Sequence, residues 1–217
     1  NPTGSVMTEE EIKMTYDIAK KHDLFLYSDE IYARMIYKDS AFSSPSIYDK
    51  CQERTIISNG FSKAFAMTGW RLGALIGPET IIERMAALLE TTSSCVPPFI
   101  QKAGIEAIKG DQTSVKKMYN EFKQRRDILV DGLNSIRGIS CVKPSGAFYV
   151  FANIKDTNMS SEEFANYILE DASVAILPGT DFGKFGEGYV RLCYATTQTN
   201  IFEALKRIKT SLDKISM

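Results

Sequence analysis

The sequence is poor in histidine, since His22 is the only one among 217 residues. It lies in the stretch KKHDL near the end of a predicted helix, where we expect it to face solvent or the helix dipole. Because this single histidine is expected at a helix end and not in a cleft, the sequence does not predict the Ser-His-Asp or Cys-His arrangements of nucleophilic catalysis within this chain. Covalent chemistry would therefore depend on another kind of side chain.

Cysteine is also sparse. The four cysteines lie far apart and none belongs to a CxxC pair: Cys51, Cys95, Cys141 and Cys193. This spacing disfavours a metal site or a disulfide framework, and we expect reduced, mostly buried thiols in a cytoplasmic protein. No apolar run is long enough to predict a membrane span.

An excess of one charge is missing too, because the formal net charge is −1 and the basic residues are scattered. Neither a nucleic-acid-binding surface nor a membrane-binding patch is predicted. Hydrophobic residues make up 44% of the chain, which suffices for a sizeable core. The chain opens on NPTG, which reads as a turn without an initiator methionine, and we expect upstream sequence before it.

The first half of the chain alternates helices with short apolar strands. Thr8-x-x-Glu11 predicts a capped helix start. Three apolar stretches then predict strands at Leu24–Tyr27, Thr55–Ser58 and Leu72–Ile76. Continuous apolar strands between helices are typical of an α/β sheet that is covered on both faces. Ligands of such sheets bind beyond the carboxyl ends of the strands, where Asp29 and Lys63 would lie if the first two strands are parallel neighbours.

The second half mixes strands and helices and predicts a separate small α+β domain. We assign residues 1–111 to part of a large domain, 112–137 to a long connecting helix and 138–217 to the small domain. Gly138 is the expected C-cap of the long helix. Later elements are a helix capped by Ser160-x-x-Glu163 and the strands AFYVFANI, VAIL and YVRLCYA, before a last amphipathic helix.

Lys63 has an unusual setting for a lysine, in a turn of small residues that follows Asn59-Gly60. A lysine that is partly desolvated near another cation becomes a nucleophile toward aldehydes. Arg71 could be that cation, and its planar fork suits a phosphate. The plainer interpretations are a solvated lysine and an ordinary loop salt bridge.

The neighbouring sequence makes three further side chains candidates for ligand binding. Asp29 could hold a proton on a cofactor nitrogen, with the Tyr32 hydroxyl on the same side, although capping and packing are the plainer interpretations. Arg191 lies between apolar neighbours in YVRLCYA. Because arginine is seldom buried unpaired, Arg191 either meets an internal carboxylate or awaits a ligand carboxylate, and the sequence leaves both open.

Five stretches together resemble the class I/II pyridoxal-phosphate-dependent aminotransferases of fold type I, with the closest likeness to the prokaryotic aspartate/aromatic branch. They are NPTG at 1–4, SDEIY at 28–32, SKAFAMTGWRLG at 62–73, GAFYVF at 146–151 and YVRLCYA at 189–195. The resemblance covers essentially the whole chain. It implies the carboxyl-terminal part of a three-layer α/β/α large domain followed by a small α+β domain.

The resemblance also implies roles for individual residues. Lys63 would form the internal Schiff base with pyridoxal 5'-phosphate and later move the substrate proton. Asp29 would keep the pyridine nitrogen protonated, and Asn1 and Tyr32 would hydrogen-bond the phenolate oxygen. The remaining assignments concern anions: Arg71, helped by Ser62, would bind the phosphate, and Arg191 would bind the substrate α-carboxylate. Gly60 stands where many relatives carry a phosphate-binding serine.

The implied activity moves an amino group between an L-amino acid, aspartate or aromatic, and a 2-oxo acid. Two alternatives share the fold: a C–S β-lyase, and the effector domain of a transcriptional regulator. The resemblance further implies a homodimer for the full-length protein, with partner contacts near TTSSCVPP. Because the family's upstream segment supplies part of the pocket, we expect the isolated 217-residue chain to be inactive.

Overall fold

The computed structural model describes residues 1–37 and 40–215, and these divide into two compact units. One consists of residues 6–116, called here the 6–116 unit. The other consists of residues 117–217 together with residues 1–5, and is called the 117–217 unit. The first five residues thus belong with the later part of the chain, whereas the sequence analysis placed them with the earlier part.

The described residues of the 6–116 unit form a three-stranded sheet, four complete helices and the start of a fifth. In chain order the elements are α1 (Glu9–Lys21), β1 (Leu26–Asp29), α2 (Ser46–Asp49), β2 (Thr55–Gly60), β3 (Gly73–Ile76), α3 (Glu79–Ser93), α4 (Pro98–Lys109) and α5 (Thr113–Asn134). The strand order is β1-β2-β3, with β1 and β2 parallel and β3 antiparallel to β2. The first two strands are thus parallel neighbours, which is the condition under which Asp29 and Lys63 were expected at one edge.

The 117–217 unit holds most of α5 and a second, antiparallel sheet. Its further elements are β4 (Tyr149–Asn153), α6 (Ser161–Ala172), β5 (Leu177–Pro178), β6 (Tyr189–Cys193) and α7 (Gln198–Ile215). The strand order is β4-β6-β5. A buried core lies between one face of this sheet and the helices, and it includes Val150, Val190, Ile168 and Ile208.

Both predicted capping boxes are confirmed. At α1 the Thr8 hydroxyl accepts the Glu11 backbone N–H, and the Glu11 carboxylate accepts the Thr8 backbone N–H in return. The same reciprocal pair joins Ser160 and Glu163 at the start of α6. Each box satisfies backbone donors that the first helical turn leaves without partners inside the helix.

The C-cap prediction at Gly138 is wrong, because α5 ends four residues earlier at Asn134. The Asn134 side chain accepts the Cys141 backbone N–H at 2.7 Å and donates to the Cys141 carbonyl at 3.0 Å. A side-chain amide that bonds a later backbone segment competes with helix continuation. Gly138 adopts a left-handed φ of 85° in the turn that follows.

Two other expectations are corrected. The cysteines are not mostly buried, since Cys95 and Cys193 are exposed while Cys51 and Cys141 are buried. Among the described residues, every residue of β3 is exposed, so the sheet of the 6–116 unit is not covered on both faces along its whole width. Among the described residues, no helix is long and apolar enough to cross a membrane.

Candidate active site

One edge of the sheet in the 6–116 unit gathers three of the predicted site residues. In the parallel pair, Asp29 at the end of β1 lies opposite Ser58 in β2. β2 continues to Gly60, and the chain then forms the loop 61–72 before β3 returns from Gly73. Lys63 near the start of this loop and Arg71 near its end are therefore anchored at the same edge as Asp29.

The strand boundaries refine the position of Asp29. The sequence predicted a strand over Leu24–Tyr27 with Asp29 beyond it, whereas Asp29 is the last residue of β1. The Leu24 backbone N–H instead donates to the Ala19 carbonyl at 2.8 Å, which closes the end of α1. The Asp29 Oδ1 atom accepts the Ile31 backbone N–H at 3.2 Å, so the carboxylate is fixed against its own turn.

Backbone hydrogen bonds hold the loop 61–72 tightly. The Phe61 N–H donates to the Leu72 carbonyl at 3.2 Å and closes the loop at its base. Within the loop, the Ala66 N–H donates to the Lys63 carbonyl and the Met67 N–H donates to the Phe61 carbonyl, each at 3.3 Å. Because Met67 is buried, the loop has an apolar anchor, and Lys63 itself is half-buried.

Arg71 is held in a conformation that few non-glycine residues adopt. Its φ is 53°, in the left-handed region. Its Nη1 atom donates to the Thr68 carbonyl at 2.9 Å, which ties the guanidinium to the preceding short 3₁₀ turn, Thr68–Trp70. Arg71 is exposed, so its guanidinium is accessible to a ligand.

Near this edge, Glu30 has hydrogen-bond partners within the protein, and Tyr32 and Ser62 lie where a ligand could contact them. Glu30, which the sequence analysis assigned a structural role, accepts hydrogen bonds from Ser28 at 3.3 Å and Ser44 at 2.6 Å. Tyr32 and Ser62 are half-buried in the turns that follow β1 and β2. Their positions near the carboxyl ends of the two parallel strands suit contact with a ligand at this edge.

Asn1 and Arg191 meet in the 117–217 unit. The Arg191 Nη1 atom donates to the Asn1 Oδ1 atom at 2.9 Å, although 190 positions separate the two residues. Gly4 holds the NPTG segment next to the 117–217 unit's own chain. Its carbonyl accepts the backbone N–H groups of Ser145 and Gly146 at 2.8 and 3.0 Å, and its φ is 71°. A side chain at Gly4 would collide with Pro144, so only glycine fits.

Arg191 has aromatic rather than acidic neighbours. Its Cζ atom lies 4.4 Å from the Tyr149 ring centroid and 4.7 Å from the Phe182 ring centroid. Within residues 1–37 and 40–215, no carboxylate lies within ion-pair distance of Arg191, and its buried Nε atom has no hydrogen-bond partner. Of the two possibilities that the sequence left open, the geometry favours an awaited ligand carboxylate.

Sequence reasoning did not single out Tyr149 and Phe182. The period-two pattern of GAFYVFAN could have placed Tyr149 on the face opposite the core. Phe182 lies in a short 3₁₀ turn, Gly179–Phe182, that no sequence pattern predicts.

Comparison with known proteins identifies the family. The family described as aminotransferase class I and II matches residues 1–208. The chain belongs to this family. Its predicted membership and its fold type I, α/β class are thereby confirmed, and solved aminotransferases superpose on it closely. An aromatic aminotransferase from Pyrococcus horikoshii covers the whole chain with a TM-score of 0.95 and 42% identity, and 58% of that structure is matched.

Curated relatives of this class I and II aminotransferase chain carry related names. A putative aminotransferase, YugH, from Bacillus subtilis is 44% identical over 99% of the chain and 55% of the relative. The aspartate aminotransferase of Pyrococcus horikoshii is 44% identical over 98% of the chain and 54% of the relative. The aromatic-amino-acid aminotransferase 2 of Thermococcus litoralis is 42% identical over 98% of the chain and 55% of the relative. The chain thus spans about half the length of these relatives.

Proposed function

We propose that this chain carries the cofactor lysine and the substrate-carboxylate arginine of an enzyme that moves an amino group between an L-amino acid and a 2-oxo acid. The observation that carries the proposal is the arrangement of Asp29, Lys63 and Arg71 at one sheet edge. The names of the relatives, aspartate and aromatic-amino-acid aminotransferases, favour donors of those two kinds.

The side chains at this edge fit pyridoxal 5'-phosphate, the cofactor that the family uses. That molecule presents an aldehyde, a ring nitrogen, a phenolate oxygen and a phosphate. The edge offers a matching set of groups: the Lys63 amine, the Asp29 carboxylate, the Tyr32 hydroxyl and the Arg71 guanidinium. When bound, the cofactor supplies an electron sink that stabilises negative charge on the substrate α-carbon.

Each residue has one task in this proposal. Lys63 would hold the cofactor through Nζ, and its amine would carry the proton to and from the substrate α-carbon. Asp29 keeps a proton on the ring nitrogen. Tyr32 donates its hydroxyl to the phenolate oxygen, and Asn1 is a second donor to that oxygen. Arg71, with Ser62 beside Lys63 in sequence, binds the phosphate.

Arg191 binds the substrate α-carboxylate. Its guanidinium can donate two parallel N–H bonds to a carboxylate, and the structure already shows it without an acidic partner among the described residues. A planar, bidentate contact of this kind orients the substrate as well as binding it. An Arg191→Lys substitution would keep the positive charge but lose the planar guanidinium with its two parallel donors, so arginine and lysine are not interchangeable there.

The reaction can be tested with purified product of the complete gene. We expect aspartate or an aromatic amino acid to convert 2-oxoglutarate to glutamate, with a Lys63→Ala variant inactive and a Lys102→Ala variant, altered at an exposed lysine, unaffected. Release of pyruvate and ammonia from cystathionine without any 2-oxo acid would contradict transamination and favour the C–S lyase.

Three further points belong to the same proposal. We expect the 217-residue chain expressed alone to transaminate far more slowly than the complete gene product, because it spans only 55% of relatives such as YugH. Equal rates for the two would contradict this. A homodimer and a cytoplasmic location stay predictions, which sedimentation and cell fractionation can check.

A further inference from the structure

The antiparallel sheet of the 117–217 unit has one face in the core and one face that presents Arg191. Successive side chains of a strand point to opposite faces. Val150, Ala152, Val190 and Leu192 are buried on the core face. Phe151 lies directly opposite Arg191 in the β4–β6 register, so both occupy the other face, together with Tyr149 and Tyr189 at alternate positions. Arg191 therefore emerges from a surface of aromatic rings.

Two rings contact the guanidinium from different parts of the chain. Tyr149 belongs to β4, whereas Phe182 belongs to the turn between β5 and β6. The Arg191 Cζ atom lies 4.4 Å from the first ring centroid and 4.7 Å from the second. Phe182 is itself held by Phe151, whose ring lies perpendicular to it at a centroid distance of 6.3 Å. Contacts at these distances are cation–π interactions and restrict the plane of the guanidinium.

Two glycines fix the turn that carries Phe182. Gly179 and Gly186 are both buried and approach each other so closely that a side chain on either would collide with the backbone of the other. Between them, the Gly183 N–H donates to the Thr180 carbonyl at 3.0 Å and the Gly186 N–H donates to the Gly183 carbonyl at 2.9 Å. The Phe182 ring is therefore presented from a closed turn rather than from an open loop.

We infer that Phe182 and Tyr149 are positioning residues that hold the Arg191 guanidinium in the plane from which it binds a carboxylate. The inference rests on the proposed role of Arg191. The Arg191 Nη1 atom donates a hydrogen bond to Asn1, and the two rings limit rotation of the rest of the Arg191 side chain. A pre-oriented fork loses less entropy when a planar carboxylate arrives, so the rings raise carboxylate affinity without touching the reacting atoms.

The test uses the cofactor-loaded product of the complete gene and 3-phenylpropionate, an unreactive carboxylate without an amino group. We expect Phe182→Leu and Tyr149→Leu each to weaken its binding about fivefold to tenfold, measured by competitive inhibition. Phe182→Tyr and Tyr149→Phe keep a ring and should restore affinity. The KM of the amino-acid donor should rise by the same factor, while kcat stays within about twofold.

The control variant is Phe185→Leu, which removes an aromatic ring from the same segment. Phe185 is 87% exposed, and its cation–π contact is with Lys184. We expect this variant to bind 3-phenylpropionate like the unmodified protein. Activity toward 2-phenylethylamine, which lacks the carboxylate, should be equal in all ring variants, because a general loss of folding would lower it and a loss of carboxylate orientation would not.

Arg191→Gln separates failure of the inference from failure of the proposed function. Arg191→Gln should weaken the binding of 3-phenylpropionate about thirtyfold or more, and the two leucine variants should weaken it less. If this is observed, and the ring-keeping variants restore binding, the inference stands. If Arg191→Gln weakens binding and both leucine variants bind normally, the inference is overturned while the role of Arg191 survives. If Arg191→Gln binds normally, the role of Arg191 and the inference both fall.

Discussion

At the scale of single residues, Asp49 shows how one carboxylate organises a turn. It is 8% exposed and accepts three backbone N–H groups, those of Cys51, Arg54 and Thr55, each at 3.0 Å. Burial raises the pKa of Asp49, but the backbone hydrogen bonds outweigh burial and bring the pKa below its usual value. The carboxylate is therefore bound more tightly as an anion than as an acid.

Asp49→Asn should reduce stability in a pH-dependent manner. At pH 7 we expect the free energy of unfolding to fall by about 2 kcal/mol, because charge-assisted hydrogen bonds become neutral ones. A carboxyl group with a lowered folded-state pKa stabilises above its unfolded pKa of about 4, and this stability disappears as pH falls through the folded value. Variant and unmodified protein should therefore converge as the pH falls below about 4.

Urea unfolding across that pH range measures the effect. Asp17→Asn is the matched control, since Asp17 is exposed and pairs only with Lys13 on the helix surface among the described residues. We expect it to change stability by less than about 0.5 kcal/mol at pH 7. A constant difference between Asp49→Asn and the unmodified protein at every pH would refute a role for the charge.

Single residues also show what sequence can reveal. The sequence makes Lys63 a candidate because glycine, serine and alanine around a lysine signal a tight turn, and it makes Arg71 a candidate as the second cation nearby. Phe182 is not singled out by the sequence, because its position depends on a turn that Gly179 and Gly186 close by backbone contact. The sequence says that glycines are present, but only three-dimensional proximity shows that they touch.

At the scale of elements, the contact of α5 with α7 depends on a glycine in α5. Gly132 in α5 faces Leu205 in α7, and a Cβ atom there would lie 2.8 Å from Leu205 Cδ2 and 3.0 Å from Cγ. Leu205 is 9% exposed and belongs to the core. Glycine weakens a helix interior by about 1 kcal/mol relative to alanine, so this glycine is retained for packing rather than for helix propensity.

Gly132→Ala should therefore destabilise the 117–217 unit despite its better helix propensity. We expect a loss of about 1–3 kcal/mol from overpacking against Leu205. Combining it with Leu205→Ala should cost less than the sum of the two single changes, because the smaller residue removes the collision. Asp131→Ala, at the adjacent exposed position, serves as the control and should be near neutral. Additive losses in the double variant would show that the two positions do not collide.

Elements with local signals were predicted well, and elements fixed by distant contacts were not. The capping boxes at Thr8 and Ser160 are local, and both are confirmed. The strand predicted at Val174–Leu177 is wrong in extent, because β5 comprises only Leu177–Pro178. The Val174 N–H donates to the Ile168 carbonyl at 3.3 Å and so continues the helix end instead of joining the sheet.

At the scale of the whole chain, the 6–116 unit presents much apolar surface to solvent. α3 has no buried residue, and its Met85, Leu88 and Leu89 are exposed, with Leu88 at 63%. β3 exposes Leu75 and Ile76 as well. The sequence predicted an α/β sheet correctly from its apolar strands. It could not show which strands would remain uncovered, because coverage depends on how elements pair and not on their composition.

Leu88→Lys should lower dye binding without lowering stability. Contiguous apolar surface binds 8-anilinonaphthalene-1-sulfonate, and we expect the folded 217-residue chain to enhance its fluorescence. Because Leu88 is not part of the core, Leu88→Lys should reduce that fluorescence and change the free energy of unfolding by less than about 0.5 kcal/mol. Leu169→Lys changes an exposed leucine of α6 and should leave fluorescence nearly unaltered. Equal reductions in both variants would contradict a localised apolar surface.

If Lys63 has the proposed role, the cofactor must be attached at that residue. The product of the complete gene is loaded with pyridoxal 5'-phosphate, reduced with borohydride and mapped by peptide mass spectrometry. We expect a single modified lysine, Lys63, with no adduct in Lys63→Ala and a normal adduct in Lys102→Ala. An adduct on a different lysine that persists in Lys63→Ala would contradict this role.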